Sequence, residues 1–186
     1  AMIREAAAAG QRAFGENYAQ EAIEKAEALA DLNLEWHFIG PIQSNKTRGL
    51  AHHMTWIESI DRVKIARRLS EQRPPELGPL NICLQVNISG EASKSGVAID
   101  AIAELARACA ELPNLALRGL MAIPAPSDDP ESQRKPHRKL FELLKTLQRD
   151  HPHLDTLSMG MSADMEAAIA EGANIVRVGT DIFGSR

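Results

Sequence analysis

Apolar and polar positions alternate most cleanly over residues 80–88, where Leu80, Ile82, Leu84, Val86 and Ile88 share one face and Asn81, Cys83, Gln85 and Asn87 the other. A period of two over such a run predicts a strand. Six further runs read as strands, at 13–18, 34–40, 56–60, 115–123, 157–162 and 174–180. Between them the chain reads as helix: 1–10, 19–32, a segment from Ser44 toward His52, 61–73 (Val63, Ala66 and Leu69 on one stripe), 98–112, 137–150 and 163–171. Gly10 and Pro74-Pro75 mark helix ends, and Ser44, Asp61 and Ser162 stand where N-caps are expected. Residues 89–96 read as a polar loop, and 125–136, with three prolines and clustered charge, as a long one.

Strands alternating with helices through short connections predict an α/β fold with a parallel sheet and crossover helices. No GxGxxG run or Walker glycine loop is present, which disfavours a nucleotide-binding doubly wound sheet. The two-faced strand at 80–88 suits a barrel, with one face toward helices and the other lining the interior. Seven strands are one short of a TIM-type (β/α)8 barrel, so the expectation is a single domain over residues 1–186 that lacks the first strand. The strands flanking that gap would be open edges.

Composition adds exclusions. A net charge of -4 argues against nucleic acid as a main partner. No apolar run approaches a membrane span, and the first residues lack the basic start and apolar core of a signal peptide. Cys83 and Cys109 have no framework spacing and read as small buried hydrophobes, which makes the cytoplasm the expected location.

The candidate chemistry sits near the end of the chain. Gly160 and Gly179 let a backbone approach another group, while Ser162 and Thr180 offer hydroxyls and N–H donors at strand ends. A capping Ser162 would turn free N–H groups toward its surroundings, an arrangement suited to phosphate. Arg177 is a permanent cation in an otherwise apolar run and needs an acceptor. Alone, each feature has a plainer reading, a helix cap and a salt bridge. Together on consecutive strand ends they favour a ligand site. Other motifs are weaker. Ser44-Asn-Lys-Thr47 lacks the glycines of a P-loop, and His52-His53 and His151-Pro-His153 lack the carboxylates or cysteines that would complete a metal site, so none is expected.

Six motifs then carry a resemblance over the whole chain: Phe14-Gly-Glu-Asn-Tyr18, Trp36-His-Phe-Ile-Gly-Pro-Ile-Gln-Ser-Asn-Lys46, Ser93-Lys-Ser-Gly96, Gly119-Leu-Met-Ala-Ile-Pro124, Met159-Gly-Met-Ser-Ala-Asp-Met-Glu166 and Val176-Arg-Val-Gly-Thr-Asp-Ile-Phe-Gly184. The chain resembles the pyridoxal phosphate homeostasis proteins, which are alanine-racemase-like barrels standing alone. The resemblance implies pyridoxal 5′-phosphate (PLP) as cofactor, a carrier or regulatory role without established catalysis, and PLP-requiring apoenzymes as recipients. It implies that Ser162 and the backbones of Gly179 and Thr180 hold the phosphate, that Arg177 donates to the pyridine nitrogen, that Asn17 lies near the ring, and that His37 and Met161 neighbour the pocket. No catalytic residue is carried over. The family's Schiff-base lysine lies in a Val-Ser-Lys-like motif on the first strand, and this sequence has no such motif. The expectation is therefore non-covalent binding, in a monomer or weak dimer. Lys46 and Lys94 belong to other motifs and are not promoted to that role. An arginine at the ring nitrogen gives up no proton and weakens PLP as an electron sink. The alternative is a PLP-dependent amino-acid racemase-like enzyme.

Overall fold

In the computed structural model, which describes residues 2–90 and 95–184, every predicted strand forms. The first half of the chain runs α1 (Met2–Ala8), β1 (Ala13–Glu16), α2 (Ala19–Ala28), β2 (Glu35–Phe38), α3 (Thr47–His53), β3 (Trp56–Ile60) and α4 (Val63–Gln72). The second half runs β4 (Leu80–Gln85), α5 (Ile102–Ala110), β5 (Leu115–Met121), α6 (Pro130–Leu147), β6 (Thr156–Met161), α7 (Met165–Ala170), β7 (Ile175–Arg177) and α8 (Thr180–Phe183). The seven strands form one sheet in chain order, and each adjacent pair is parallel. Among the described residues β1 and β7 each pair on one side only, so the barrel wall stays open between them.

The two faces of the strands sort as their alternation requires. Leu80, Ile82 and Leu84 of β4 belong to the large core shared with the helices, where Leu50, Ile65, Leu69, Ile102, Leu105, Leu140 and Leu144 cover the sheet. Cys83 turns the other way, into a small interior cluster with Trp56 and Met121, against which Ile175 packs. β4 ends at Gln85. Val86 still donates its N–H to Met121 O (2.8 Å) and bridges to Val97, and Val97 N–H to Gln85 O (2.8 Å) closes the base of the following loop. The Ser93-Lys94 part of that loop, like Ala1, lies outside the described residues.

Several expected boundaries move. α6 begins at Pro130, not at residue 137, because Asp129 caps it, its carboxylate accepting the Ser132 N–H at 2.8 Å. Proline is favoured in a helix's first turn, so the proline-rich stretch starts the helix rather than excluding it. Pro136 lies inside α6, at a cost of about 3 kcal/mol in an ordinary helix interior. The same segment makes compensating contacts: Arg134 and Arg138 both reach Glu171, at 2.7 and 2.9 Å. Ser44 and Asp61 do not cap. α3 starts at Thr47, whose hydroxyl donates to Ser44 O (3.0 Å), and Arg62 precedes α4 with no side-chain cap. Ser162 is likewise not an N-cap, because α7 starts only after Asp164.

Candidate functional site

Parallel pairing puts every strand's C-terminal end on the same side of the sheet, and that end carries most of the expected site. Asn17 follows β1, Met161 ends β6 with Ser162 after it, Arg177 ends β7, and Gly179 and Thr180 open α8. Arg177 pairs in register with Met161, which sets the two strand ends side by side.

Each of these positions is shaped by a short-range cause. Asp164 Oδ1 accepts the Met161 N–H (2.7 Å), and its Oδ2 accepts from buried His137 Nε2 (2.9 Å), which pins the turn at 162–164 to α6. Gly160 precedes that turn with φ at +94°, in the left-handed region, and a Cβ there would come within 2.5 Å of the Ala168 Cβ. The Ser162 hydroxyl oxygen is buried and has no hydrogen-bond partner among the described residues. A buried hydroxyl without a partner is costly, and an anionic acceptor would resolve it. Thr180 and Gly179 are exposed, and the space where a Gly179 Cβ would stand is open.

Arg177 lies mostly buried below that rim. Its Nη1 donates to Ser158 Oγ (2.6 Å) and its Nη2 to Ala122 O (2.8 Å), while Glu58 Oε2 stands 3.9 Å away. A guanidinium has five N–H donors, so these bonds leave others for a further acceptor. Burial pulls the Arg177 pKa below its usual value, against the pull of Glu58, Asp164 and Cys83, but the group remains a cation.

Beneath Arg177 runs an ionic network that the sequence did not reveal. Ser158 donates its hydroxyl to Glu58 Oε2. Glu58 Oε1 lies 2.5 Å from His37 Nδ1, and His37 Nε2 lies 2.8 Å from Glu35 Oε1. Both ring nitrogens therefore face carboxylates, which only accept, so both must carry protons and the ring is an imidazolium. Burial alone would lower the His37 pKa, but the hydrogen bonds and charges of Glu58 and Glu35 outweigh it and raise it. Burial would raise Glu58, yet His37 above all, with Ser158 and Arg177, holds it below the ordinary range. The His37 ring stacks on Trp56 (5.4 Å between centroids, 6° between planes), and the Arg118 guanidinium lies over the Trp56 ring at 5.1 Å. Arg118 also grips Asp155 through two bonds (3.0 and 2.6 Å) and Asn81 through a third (3.0 Å), tying the middle of β5 to the start of β4 and to the residue that precedes β6.

The expected site is thus brought together in part. Ser162, Arg177, Gly179, Thr180, Met161 and Asn17 share the strand ends. His37 lies in β2 with no ring nitrogen to spare, so it reaches any ligand only through Glu58. Glu58 was missed, although a carboxylate in the run Trp56-Ile-Glu-Ser-Ile60 is the same kind of oddity as Arg177. Cys83 and Cys109 are buried free thiols. Burial pushes the first well above the ordinary thiol range and the second to about 12, so neither is a ready nucleophile. Among the described residues no His, Cys, Asp or Glu group converges as a metal centre, and no helix is long and apolar enough to cross a membrane.

A parallel barrel whose strand C-termini carry a buried arginine and a hydroxyl without a partner among the described residues has the layout of the α/β barrels that take their ligands at that end. The pattern of the alanine racemase N-terminal domain family matches residues 1–186. A pyridoxal phosphate homeostasis protein of Pseudomonas aeruginosa is 62% identical over all of this chain and 80% of its own length. The solved structure of PipY from Synechococcus elongatus without PLP superposes with a TM-score of 0.91 at 39% identity, covering 98% of this chain and 86% of PipY. A second PipY structure, with PLP bound, gives 0.88 at 38% over the same shares. The chain belongs to the pyridoxal phosphate homeostasis protein family, within the alanine racemase N-terminal domain fold.

Proposed function

We propose that this chain binds PLP at the strand C-termini and acts in PLP homeostasis as a carrier or regulator. The observation that carries the proposal is the buried Ser162 hydroxyl, without a partner among the described residues, at the strand end beside the one that bears Arg177. The residues fit the group. Ser162, with the exposed backbone at Gly179 and Thr180, would take the phosphate, and the remaining Arg177 donors would take the ring nitrogen. Asn17 and Met161 would border the ring. When bound, PLP supplies an aldehyde on an electron-withdrawing ring. Arg177 holds its protons at any working pH, so it positions the ring without serving as an acid. The family relatives named for PLP homeostasis and the PLP-bound PipY support this reading. Recipients would be PLP-requiring apoenzymes in the cytoplasm, served by a monomer or weak dimer.

The test is an absorbance titration of the chain with PLP, followed by borohydride reduction and intact-mass measurement. Saturable binding is expected without a mass increase, and Ser162→Ala and Arg177→Ala should each weaken it by tenfold or more, about 1.4 kcal/mol. Wild-type affinity in both variants would place the pocket elsewhere. A mass increase of one reduced cofactor would assign a covalent role to one of the chain's lysines.

A further inference from the structure

Two buried cations compete for one carboxylate inside the barrel. Glu58 on β3 is 1% exposed, and its two oxygens are divided. One faces His37 Nδ1 at 2.5 Å, and the other takes the Ser158 hydroxyl with Arg177 Nη1 3.9 Å away. The bonds form a continuous chain, Glu35–His37–Glu58–Ser158–Arg177, from a half-exposed carboxylate to the arginine at the mouth.

We propose that His37, as an imidazolium, holds Glu58 away from Arg177 and so keeps guanidinium donors open to the ligand. His37 and Glu58 are then positioning residues, the ligand being the PLP of the proposed function, on which this step rests. Arginine favours direct, two-pronged bonds to carboxylate. Here it is kept at 3.9 Å because the carboxylate is already claimed from the other side. If His37 loses its charge, Arg177 is the nearest cation left, and Glu58 is drawn onto the donors that a ligand would use.

The other groups around the pair do not take over this task. Trp56 stacks on the His37 ring, Arg118 from β5 lies across Trp56 and is committed to Asp155 just before β6, and Cys83 on β4 is a protonated thiol. Glu35 holds the outer ring nitrogen and Asp164 lies beyond Arg177, bonded to His137. His37 is raised above its ordinary value by Glu58 and Glu35, so its charge persists to higher pH than that of an ordinary histidine and is lost as pH rises through the raised value. Ligand affinity should fall there.

The experiment compares PLP affinity across pH for the full chain, His37→Gln, Glu58→Gln and the double variant. Glutamine at 37 keeps a donor but no charge. His37→Gln is expected to bind at least about tenfold more weakly, while adding Glu58→Gln restores binding to within about threefold and removes the alkaline fall. Rescue by a second substitution is not expected if His37 only supports the fold. A His37→Gln variant that binds as wild type, or a double variant as weak as the single, overturns the proposal. If His37→Gln fails to fold, Glu58→Gln alone decides: the His37 NMR titration must move to a lower pH and the alkaline fall in affinity must vanish. If the wild-type chain takes up no PLP, the proposed function fails, yet this step is still decided without ligand. The Arg177 Nε–H resonance must then shift as His37 titrates, and a resonance indifferent to His37 overturns the idea.

Discussion

Gly40→Ala is the sharpest probe of how the site is built. Gly40 follows β2 and lies directly against the backbone of Asn17, which follows β1. A Cβ at Gly40 would stand 1.9 Å from Asn17 O, 2.6 Å from its carbonyl carbon and 2.9 Å from its Cα, where ordinary contact begins near 3.4 Å. Every atom in that list is backbone, so no rotamer change relieves the overlap. Gly40 cannot readily retreat either. Its carbonyl accepts the Ser59 hydroxyl at 2.6 Å, and the neighbouring Ile39 N–H is bonded to Glu16 O at 3.0 Å. Overpacking of this kind costs about 1–3 kcal/mol, and the strand shift that relieves it would break a buried hydrogen bond worth about 1 kcal/mol more. The expected loss is therefore about 2–4 kcal/mol, a large part of the roughly 5–15 kcal/mol that keeps a domain folded. Urea unfolding followed by circular dichroism should show a lower midpoint with an unchanged slope. PLP affinity should fall with it, because Asn17 is displaced. Adding Asn17→Ala should not rescue stability, since the overlap is with backbone. Adding Ser59→Ala should cost less than it does in the wild type, because the tether on Gly40 is released. An unshifted midpoint for Gly40→Ala would refute the tight β1–β2 junction and the placement of Asn17 that depends on it.

Two further outcomes follow from buried charge. Glu58 is held below its ordinary 4.5, so its contribution to stability is present above that value and is lost as pH falls through its lower folded value. His37 is raised above its ordinary 6.5, so its contribution is complete below 6.5 and is lost as pH rises through the raised value. Urea midpoints across pH should therefore peak between the two limbs, and Glu58→Gln should flatten both; an unchanged profile would remove the pair from the stability account. Arg73, 7% exposed, donates to the carbonyls of Ala51 (2.8 Å), Met54 (2.9 Å), Gly78 (2.9 Å) and Leu77 (3.1 Å), with no carboxylate bonded to it among the described residues. Arg73→Met keeps the apolar stem, loses all four bonds and should cost about 3–4 kcal/mol by urea unfolding.

Strand count and order were legible because each strand alternates against two different neighbours, helices outside and the barrel interior inside. Leu84 and Cys83 show the two destinations directly. Helix starts were less legible because several residues compete to begin a helix. At 162–165 the serine was expected to cap, but Asp164 precedes the helix and turns its carboxylate back to the Met161 N–H instead. At 125–136 the prolines hid a helix start that Asp129 and Pro130 define by ordinary rules. The requirement that Arg177 find an acceptor was readable from one residue. Its actual surroundings were not, because Ser158 and Glu58 are separated by 100 positions and meet only when the sheet curls. Periodicity reports which face a residue takes, not which distant residue shares it.

That distance matters to what the network is for. Replacing a buried ionic cluster by apolar side chains of similar volume is often neutral or stabilising. This barrel already fills part of its interior with Trp56, Cys83, Met121 and Ile175, so apolar filling is within reach of its architecture. The layer under the mouth instead carries an imidazolium, a carboxylate, a hydroxyl and a guanidinium, each bonded to the next. Stability alone does not call for that choice. Holding a guanidinium rigidly while leaving some of its donors uncommitted does, because the arginine needs an anion near enough to offset its burial and too occupied to capture it.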